Sequence, residues 1–326
     1  MSMANVLTGD VGGTSTRLGI FELRTPRPAL VATRTYGTRD FASIETMTVA
    51  FLRDVGVTPS SLSAACFGVA GPVIGDAATL TNAPVRLDAR AIATSVGLAR
   101  VALLNDLEAL AYAVPVLSAE ELLVLQDGRA DPSGPIALIA AGTGLGEAML
   151  HRIGERVVAK ASEGGRADFA ARTERDIKVL RALTRECGRA AVEHVVSGPG
   201  LVNIHKALHP EGCAARIDMT AATAPGAIAD SATARTCAAC VDTMELFVEA
   251  YGAQAGNLAL RAVATGGVYI GGGIAPKIRG WLQTGSFLAA FRAKTPFAPL
   301  LESIPVKVIL NSEAGLLGAA HYCSVT

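Results

Sequence analysis

The stretch Gly9–Arg17, which reads GDVGGTSTR, constrains the fold of this chain more than any other. The apolar residues Val6 and Leu7 lead into it, and Leu18 and Ile20 follow it with the alternation of a second strand. Two adjacent glycines stand between these runs, and glycine pairs commonly turn the chain between antiparallel strands. The pattern therefore predicts a β-hairpin with a glycine turn.

The composition of this turn suits a phosphate group. Gly12 and Gly13 can adopt positive φ and point backbone N–H groups at an anion, and Thr14 adds a hydroxyl donor. Asp10 would repel a bare phosphate, but a Mg²⁺ ion held through water by Asp10 and by phosphate oxygens removes that conflict. The turn is thus predicted to hold the phosphates of a metal–nucleotide, with Asp10 as the magnesium-binding residue.

Two better-known phosphate loops do not fit this stretch. A Walker loop requires a lysine after its glycines and a Rossmann fingerprint requires a helix, whereas here no lysine is near and a strand is predicted to follow. An ordinary tight hairpin without a ligand remains the alternative, because glycine pairs are common turn residues. The turn alone does not decide between these two interpretations.

The composition sets the class of protein. A chain of 326 residues, half of them apolar, exceeds what one hydrophobic core usually covers, so two lobes are expected. With 29 basic and 29 acidic side chains, small polar ligands fit better than nucleic acid. The apolar runs are broken by glycines and the N-terminus lacks a signal-peptide pattern, which predicts no membrane span and a cytoplasmic location. The oligomeric state stays open, with a homodimer as one possibility.

Six cysteines are scattered along the chain, and Cys237 and Cys240 form the one pair that is close in sequence. Their spacing places them on one face of a helix. A single pair without a second pair or a histidine cluster is a poor zinc site. Buried, reduced thiols are therefore expected.

Strand and helix patterns alternate along the chain, which predicts an α/β architecture. The apolar spacing predicts further strands at 29–36, 64–70, 100–106, 135–141, 147–152, 156–161, 267–270 and 306–310. It predicts helices at 44–52, 89–96, 107–114, 174–187, 201–208, from 276 onward and at 315–322. Residues 118–134 are interpreted as a polar surface segment, and 221–264 as two helices with a break near Gly252–Gly256.

A second glycine turn repeats the pattern of the first. The strand predicted at 135–141 runs into Gly142, Thr143 and Gly144, and a further strand follows. One such turn in each lobe could hold a polyphosphate from two sides. The joint occurrence of two strand–turn–strand units therefore favours nucleotide binding more strongly than either turn alone.

The predicted strand that ends in Asn105 and Asp106 carries the strongest candidate for catalysis. Carboxylates at the carboxyl end of a buried strand face the crevice in which α/β proteins bind ligands. Asp106 could accept the proton of a substrate hydroxyl as that oxygen attacks a phosphoryl group. Asn105 offers both a donor and an acceptor to a sugar hydroxyl. The alternative is that Asp106 only caps the helix that follows.

Further candidates lie beside other glycine-rich turns. Glu163 and Glu193 occur in the stretches SEGG and EHVVSGPG, where paired carboxylates could accept hydrogen bonds from several hydroxyls of a polyol. Solvated surface glutamates are the commoner outcome for this residue type. Gly271, Gly272 and Gly273 allow close approach to a base or ribose and donation from the N-terminus of a following helix. A plain connection between strand and helix would look the same.

The ordered motifs GDVGGTSTR, LLNDLEA, AAGTGLG, SEGGRADF, EHVVSGPGLV and YIGGGIAP resemble those of the bacterial ATP-dependent glucokinase family. This family belongs to the hexokinase, actin and Hsp70 superfamily, and the resemblance covers essentially the whole chain. It implies an actin-like, ribonuclease H-like ATPase fold, with a cleft between two α/β lobes that close on the sugar. It also implies transfer of the γ-phosphoryl group of MgATP to the 6-hydroxyl of glucose. The smaller lobe would comprise 1–115 and 311–326, and the larger lobe 116–310.

Matched motif by motif, the resemblance implies a role for each candidate residue. Asp106 would be the general base. The sugar would be bound by Asn105, Asp106, Glu163, Glu193 and Asn82, with Arg166 beside them. The phosphates and Mg²⁺ would be held by Asp10, Gly12, Gly13, Thr14, Gly142, Thr143 and Gly144, and the adenosine by Gly271, Gly272 and Gly273.

Three residues depart from the family pattern. Arg166 stands where a histidine that touches the sugar normally follows the SEGG-like stretch, and arginine is longer and cannot accept a hydrogen bond. Ser15 replaces a common asparagine, and Val85 stands where tryptophan is frequent. A kinase for another hexose is therefore one alternative, and a non-catalytic sugar- or nucleotide-binding paralogue is a second. The cysteine-rich zinc motif of the related repressor and sugar-kinase family is absent.

Overall fold

The structure, a computed structural model, describes residues 4–80, 85–154 and 156–326. Its contacts divide the chain into two compact units. The first unit contains the N-terminal part of the chain through Glu121 together with Arg152–Ala161 and Asn311–Thr326. The second unit contains Leu122–His151 and Ser162–Leu310.

Both units contain strands and helices. The strands are β1 (Asn5–Val11), β2 (Ser15–Glu22), β3 (Ala29–Gly37), β4 (Leu62–Val69), β5 (Val73–Ile74), β6 (Ala77–Thr79), β7 (Arg86–Asp88), β8 (Val101–Asn105), β9 (Leu122–Gln126), β10 (Ile136–Ala141), β11 (Leu145–Ile153), β12 (Arg156–Ser162), β13 (Gly267–Gly271) and β14 (Val306–Ile309). The α-helices are α1 (Ile44–Asp54), α2 (Ala89–Val96), α3 (Asp106–Ala113), α4 (Glu174–Cys187), α5 (Gly198–Leu208), α6 (Ala224–Thr233), α7 (Ala238–Ala262), α8 (Arg279–Leu282), α9 (Ser286–Arg292), α10 (Ala298–Ser303) and α11 (Ala314–Val325). Short 3₁₀ helices lie at Pro59–Ser61, Val114–Val116, Ala119–Glu121, Gly164–Arg166 and Val192–His194.

The main sheet of the first unit has the strand order β3-β2-β1-β4-β8. The predicted hairpin is confirmed, because β1 and β2 pair antiparallel on either side of the glycine turn. Strands β1, β4 and β8 are parallel, and their register places Val11 beside Val69 and Val69 beside Asn105. The carboxyl ends of these three strands therefore meet at one edge of the sheet.

Helix α11 completes the first unit by packing against β1, β4 and α3. The approach to α3 is so close that a Cβ at Gly318 would overlap the carbonyl oxygen of Ala109. Leu7, Phe67 and other apolar side chains of β1 and β4 are buried in a separate core cluster with apolar residues of α1 and α2. The last helix of the described chain thus covers strands that begin the chain.

The second unit has its own sheet, in which the order of neighbours is β11-β10-β13-β14-β9. Strands β10, β13 and β14 are parallel, and β9 pairs antiparallel with β14 at the edge. The interpretation of 118–134 as a surface segment is wrong for Leu122–Gln126, which form β9. The side-chain amide of the buried Gln126 donates to the carbonyl oxygen of Leu301 at 2.7 Å, which ties the strand to the core.

The break expected near Gly252–Gly256 is absent, because helix α7 runs without interruption from Ala238 to Ala262. A Cβ at Gly252 would overlap the carbonyl oxygen of Phe287, and one at Gly256 would lie 2.5 Å from that of Phe291. Both carbonyl groups belong to α9, which packs along α7. The two glycines therefore serve close helix packing rather than a turn.

The connection after β13 also differs from expectation. The helix predicted from Pro276 is replaced by turns, and only the four-residue α8 follows, at Arg279–Leu282. The other predicted helices are present, and the side chains of Asp88 and Thr173 cap the N-termini of α2 and α4. Among the described residues, no helix is both long enough and apolar enough to span a membrane.

Candidate active site

Asp106 lies at the edge of the first sheet where the parallel strands end. It is the first residue of α3, directly after β8, and its side chain is half-buried. Its carboxylate oxygen Oδ1 accepts a hydrogen bond from the N–H of Leu107 at 3.0 Å. A Cβ at Gly68 would lie 3.5 Å from the Asp106 Cα and 2.9 Å from the Ala109 Cβ, so α3 sits directly on β4. The position of Asp106 is therefore set by both a strand and a helix.

Asn105, and not Asp106, is the N-cap residue of α3. Its Oδ1 accepts from the N–H of Leu107 at 2.9 Å, and its Nδ2 donates to the carbonyl oxygen of Gly71 at 3.1 Å. An amide carries two lone pairs and two N–H groups, so one of each remains after these bonds. Asn105 thus holds the start of the helix and keeps one donor and one acceptor for a ligand.

Glu108, which was not among the predicted site residues, also lies at this edge of the sheet. Its Oε2 faces the N–H of Asn105 at 3.4 Å, and its Oε1 accepts from the N–H of Ala161 at 3.3 Å. The ammonium group of Lys160 lies 3.6 Å from the same Oε1. Glu108 therefore joins the first turn of α3 to β12. The capping-box spacing of Asn105 and Glu108 was the signal that could have revealed it.

Asp10 lies next to the end of β1, two residues before Gly12, the first glycine of the turn. Its cross-strand neighbour is Arg17, whose guanidinium donates to the carbonyl oxygen of Ser312 at 2.7 Å. A Cβ at Gly315, in the first turn of α11, would lie 3.7 Å from the Asp10 Oδ2. Burial raises the pKa of the Asp10 carboxyl above its ordinary value, and the charge of Arg17 opposes that rise. A half-buried carboxylate of this kind suits a hydrated divalent cation as a partner.

The first glycine turn is held from the side by Thr38. The Thr38 hydroxyl donates to the carbonyl oxygen of Gly12 at 2.7 Å, and its N–H donates to that of Thr14 at 3.0 Å. Neither Gly12 nor Gly13 adopts the left-handed φ that the sequence allowed. A Cβ at Gly12 would lie 3.0 Å from the carbonyl oxygen of Ser15. Thr14 and Ser15 are exposed, so their hydroxyl groups face solvent.

In the second unit, the turn of Gly142, Thr143 and Gly144 contacts Glu193. The Glu193 Oε2 accepts from the N–H of Leu145 at 2.9 Å, and a Cβ at Gly144 would lie only 2.5 Å from that oxygen. The carbonyl oxygen of Gly142 accepts from the N–H of Gly198, the first residue of α5, at 2.8 Å. The turn is therefore fixed between a carboxylate and the start of a helix.

Ser197 connects Glu193 to that same helix. Its hydroxyl donates to the carbonyl oxygen of Glu193 at 2.7 Å and accepts from the N–H of Gly200 at 3.0 Å as the N-cap of α5. No role was predicted for Ser197, although it begins the SGPG stretch. A serine before Gly-Pro at the start of a helical pattern is the signal that could have found it.

Arg166 forms an ion pair with Glu193. The guanidinium NH2 lies 3.0 Å from Oε1, the carboxylate oxygen that does not bind Leu145. Arg189 donates to the carbonyl oxygen of Arg166 and so supports the loop from behind. The Arg166 side chain is 55% exposed and the Glu193 side chain 18%, so the guanidinium can change position more freely than the carboxylate.

Glu163 begins the 3₁₀ turn that carries Arg166, and its side chain is exposed. The two glycines between them lie against β11. A Cβ at Gly164 would overlap the Glu147 carboxylate, and one at Gly165 would overlap the carbonyl oxygen of Leu145. Larger residues would therefore push this loop away from the strand.

Glu147 is a buried carboxylate beneath that loop, and sequence patterns gave no sign of it. Its Oε1 accepts from the side-chain amide of Gln254 at 2.6 Å, and Arg261 lies 3.9 Å from Oε2. Burial raises the pKa of the Glu147 carboxyl, and the bond from Gln254 and the charge of Arg261 oppose the rise. Glu147 links the strand under the loop to the middle of α7.

The stretch Gly271–Gly273 begins where β13 ends, next to the end of β10. Gly272 has φ +81°, which favours glycine, and a Cβ there would overlap the carbonyl oxygen of Ala141. The expected helix N-terminus is absent at this point, since turns follow up to Ile278. This glycine stretch therefore lies beside the Gly142–Gly144 turn but offers no helix dipole.

The structure groups the predicted site residues by unit. Asp10, Gly12, Gly13, Thr14, Asn105 and Asp106 lie at the strand ends of the first unit. Gly142, Thr143, Gly144, Glu163, Arg166, Glu193, Gly271, Gly272 and Gly273 lie at or near the strand ends of the second. Asn82 lies outside the described residues.

Comparison with known proteins defines the class. A solved glucokinase from an Antarctic psychrotroph superposes with a TM-score of 0.87 at 29% identity, over 100% of both chains. The structure of Balamuthia mandrillaris glucokinase in complex with glucose gives a TM-score of 0.80 over 98% of this chain and 93% of that one. At 23% identity, this second likeness shows the fold alone. The fold is that of the actin-like ATPase class of sugar kinases, as expected.

The sequence comparisons identify the family within that class. The glucokinase of Nostoc sp. is 38% identical over 98% of both chains, and the glucokinase family model matches residues 7–326. The chain therefore belongs to the glucokinase family.

Proposed function

We propose that this protein transfers the γ-phosphoryl group of ATP to the 6-hydroxyl of glucose. Family membership over residues 7–326 supports this reaction. The single observation that carries it is the position of Asp106, a half-buried carboxylate fixed at the carboxyl end of a parallel strand. The product would be a hexose 6-phosphate, which enters glycolysis. Because ATP is the second substrate, we expect the reaction to occur in the cytoplasm.

In this proposal Asp106 is the general base. Its carboxylate accepts the proton of the sugar 6-hydroxyl as that oxygen attacks the γ-phosphorus and the bond to the leaving ADP oxygen breaks. The bond from the N–H of Leu107 to Oδ1 orients the carboxylate. A positioned base of this kind contributes roughly 10²- to 10⁴-fold to the rate.

The other sugar hydroxyls are bound by carboxylate and amide groups. Asn105 retains one donor and one acceptor, and Glu193 is held in place by Leu145 and Arg166. Glu163 is exposed on the same short turn as Arg166 and adds a further acceptor. Asn82, outside the described residues, stays a predicted contact from the family pattern.

The phosphates would be bound by the two glycine turns, Gly12–Thr14 and Gly142–Gly144, and the adenosine beside Gly271–Gly273. Asp10 fits a Mg²⁺ ion held through water, since burial disfavours its charged form and a cation would compensate for this cost. Bound there, Mg²⁺ would neutralise charge on the phosphate oxygens.

The test is a pair of measurements on Asp106→Asn. Turnover, measured by coupled ADP detection, should fall by about 10²- to 10⁴-fold, while calorimetric glucose affinity should stay within a few-fold. Asp230→Asn, at an exposed position of α6, is the matched control and should behave as the unchanged protein. Near-normal turnover of Asp106→Asn would exclude Asp106 as the base. Glucose binding without any ADP release by the unchanged protein would instead indicate a non-catalytic paralogue.

A second candidate substrate, another hexose, is suggested by the ion pair of Arg166 with Glu193. A guanidinium offers only donors where the family histidine can also accept, so the preferred pattern of hydroxyl groups could differ. Values of kcat/KM for glucose, mannose, fructose, glucosamine and N-acetylglucosamine distinguish these cases. If glucose is not the best substrate and Arg166→His shifts preference toward it, the second candidate replaces the first.

A further inference from the structure

Three cysteines of the second unit come together although the sequence separates them. Cys213 lies between α5 and α6, Cys237 precedes α7, and Cys240 lies in the first turn of α7. Their sulfur atoms all lie within 4.8 Å of one another, and all three thiols are free. Cys237 and Cys240 are buried, whereas Cys213 is partly exposed. The pair that looked like a poor zinc site from its spacing thus has a third partner.

The backbone around Cys237 suits a negatively charged sulfur. Cys237 is the N-cap residue of α7 in an extended conformation. Its side chain makes no hydrogen bond that caps the helix. The positive end of the helix dipole at this N-terminus stabilises a thiolate, the form that binds a metal ion. This arrangement is independent of the distances among the three thiols.

The cluster is reached from a cavity of about 400 Å³ that Cys213 and His205 both line. The His205 Nδ1 lies 2.9 Å from the Thr243 hydroxyl oxygen, and that hydroxyl donates to the carbonyl oxygen of Ala239. The proton between His205 and Thr243 therefore belongs to Nδ1, which leaves a lone pair on Nε2. This buried Nε2 has no hydrogen-bond partner among the described residues. The cavity is thus lined both by the Cys213 thiol and by a histidine with an unused acceptor.

Geometry and charge both permit a bound ion. Thiolates around tetrahedral zinc lie about 3.8 Å apart, given a Zn–S distance of about 2.3 Å. Sulfur atoms within 4.8 Å need to move inward by about 1 Å at most. Three thiolates and one divalent ion leave a net charge of about −1, and the side chains of Lys206, Arg216 and Glu211, which line the same cavity, together carry a charge of about +1.

We propose that Cys213, Cys237 and Cys240 bind one thiophilic divalent ion of the Zn²⁺ type, with the fourth position open to the cavity. The three thiols release their protons to solvent as the ion binds. The ion would join the start of α7 to the connection between α5 and α6. This site is independent of the proposed sugar phosphorylation.

The experiment uses the full chain, reduced and freed of metal by a chelator. Zn²⁺ is titrated against a chromophoric competitor, and Cd²⁺ is added separately to detect thiolate-to-metal charge-transfer absorption. We expect one ion per chain, the charge-transfer band, and a higher Tm with Zn²⁺ than with the chelator. Absence of a stoichiometric ion or of the charge-transfer band would overturn the proposal.

Matched variants separate the site from the other thiols. Cys213→Ser and Cys237→Ser should each weaken Zn²⁺ binding by more than about 100-fold, because each removes a direct ligand. Cys187→Ser, at an exposed thiol at the end of α4, should bind as the unchanged protein does. Circular dichroism without metal verifies that each variant is folded, and Cys213 is the safer position because it is partly exposed. Equal affinity of Cys213→Ser and Cys187→Ser would overturn the proposal.

Discussion

The two carboxylate oxygens of Glu193 have different partners: Oε1 lies 3.0 Å from the Arg166 guanidinium, and Oε2 accepts from the N–H of Leu145 at 2.9 Å. Oε2 therefore holds the glycine turn that follows β10, and Oε1 can accept a hydrogen bond from a ligand hydroxyl. A ligand hydroxyl that approaches Oε1 meets an oxygen oriented by the exposed Arg166 side chain, and a carboxylate oxygen can accept from both groups at once.

Loss of the Arg166 charge should weaken sugar binding. In Arg166→Met, Glu193 loses its ion pair and can adopt other orientations, so we expect the KM for glucose to rise about 5- to 20-fold with kcat little changed. Steady-state kinetics by coupled ADP detection measures both constants. Arg185→Met removes an exposed charge from the last turn of α4 and serves as the control. A fall in kcat with unchanged KM would contradict this role.

A side chain at Gly144 should displace Glu193. In Gly144→Ala, the added Cβ would lie 2.5 Å from the Glu193 Oε2, so we expect kcat/KM for glucose to fall about 10- to 100-fold. Gly142→Ala adds the same methyl group two residues earlier, where nothing lies within 4 Å, and should have a smaller effect. Equal losses in the two variants would show that the contact with Glu193 is unimportant.

The packing of α7 on α9 gives a stability prediction. Gly252→Ala forces a methyl group into the carbonyl oxygen of Phe287 and should lower the free energy of unfolding by about 1–3 kcal/mol. Gly226→Ala is the control, because Gly226 is an exposed residue of α6 with nothing within 4 Å of an added Cβ. It should be neutral or stabilising by up to about 1 kcal/mol. Urea unfolding of both variants measures the difference, and equal stabilities would contradict the packing argument.

Low pH should reduce the folding stability of the first unit, because it protonates Glu121. Its carboxylate binds the Arg27 guanidinium at 2.6 and 2.7 Å, and that hydrogen bond is the main cause that lowers the Glu121 pKa to about 2 from an ordinary 4.5. Because the folded state holds this proton less tightly than the unfolded state, the stabilisation is complete above about pH 4.5 and is lost as the pH falls toward about 2. Glu121→Gln should therefore be less stable than the unchanged protein near neutral pH.

The same urea titrations, repeated at about pH 3, complete this test. The difference in unfolding free energy between Glu121→Gln and the unchanged protein should shrink there, since the carboxyl is partly protonated in the unfolded state. A difference that stays constant with pH would show that the ion pair with Arg27 does not contribute through charge.

Local patterns were sufficient to predict most strands and helices, because apolar alternation and capping residues act over a few positions. These patterns failed where contacts between residues far apart in sequence determine the secondary structure. The break expected at Gly252–Gly256 does not occur, because these glycines contact carbonyl groups of α9. Leu122–Gln126 forms a strand because β14 provides a pairing edge far away in sequence.

In the candidate site too, local patterns predict some features and contacts between distant residues determine the others. Asp106 and the two glycine turns stand at strand ends, and strand ends are readable from local patterns. The pairing of Arg166 with Glu193 depends on two loops that meet only in the folded unit, and no spacing in the sequence reveals it. Cys213 joins Cys237 and Cys240 for the same reason.

Helix α11 has a consequence for biosynthesis. It packs on β1, β4 and α3, yet the ribosome makes it after every strand that the structure describes. The second unit, inserted before α11, can complete its own core while the nascent N-terminal sheet still exposes apolar surface where α11 will pack. We therefore expect chaperones that recognise nascent chains to bind the first unit for longer than the second.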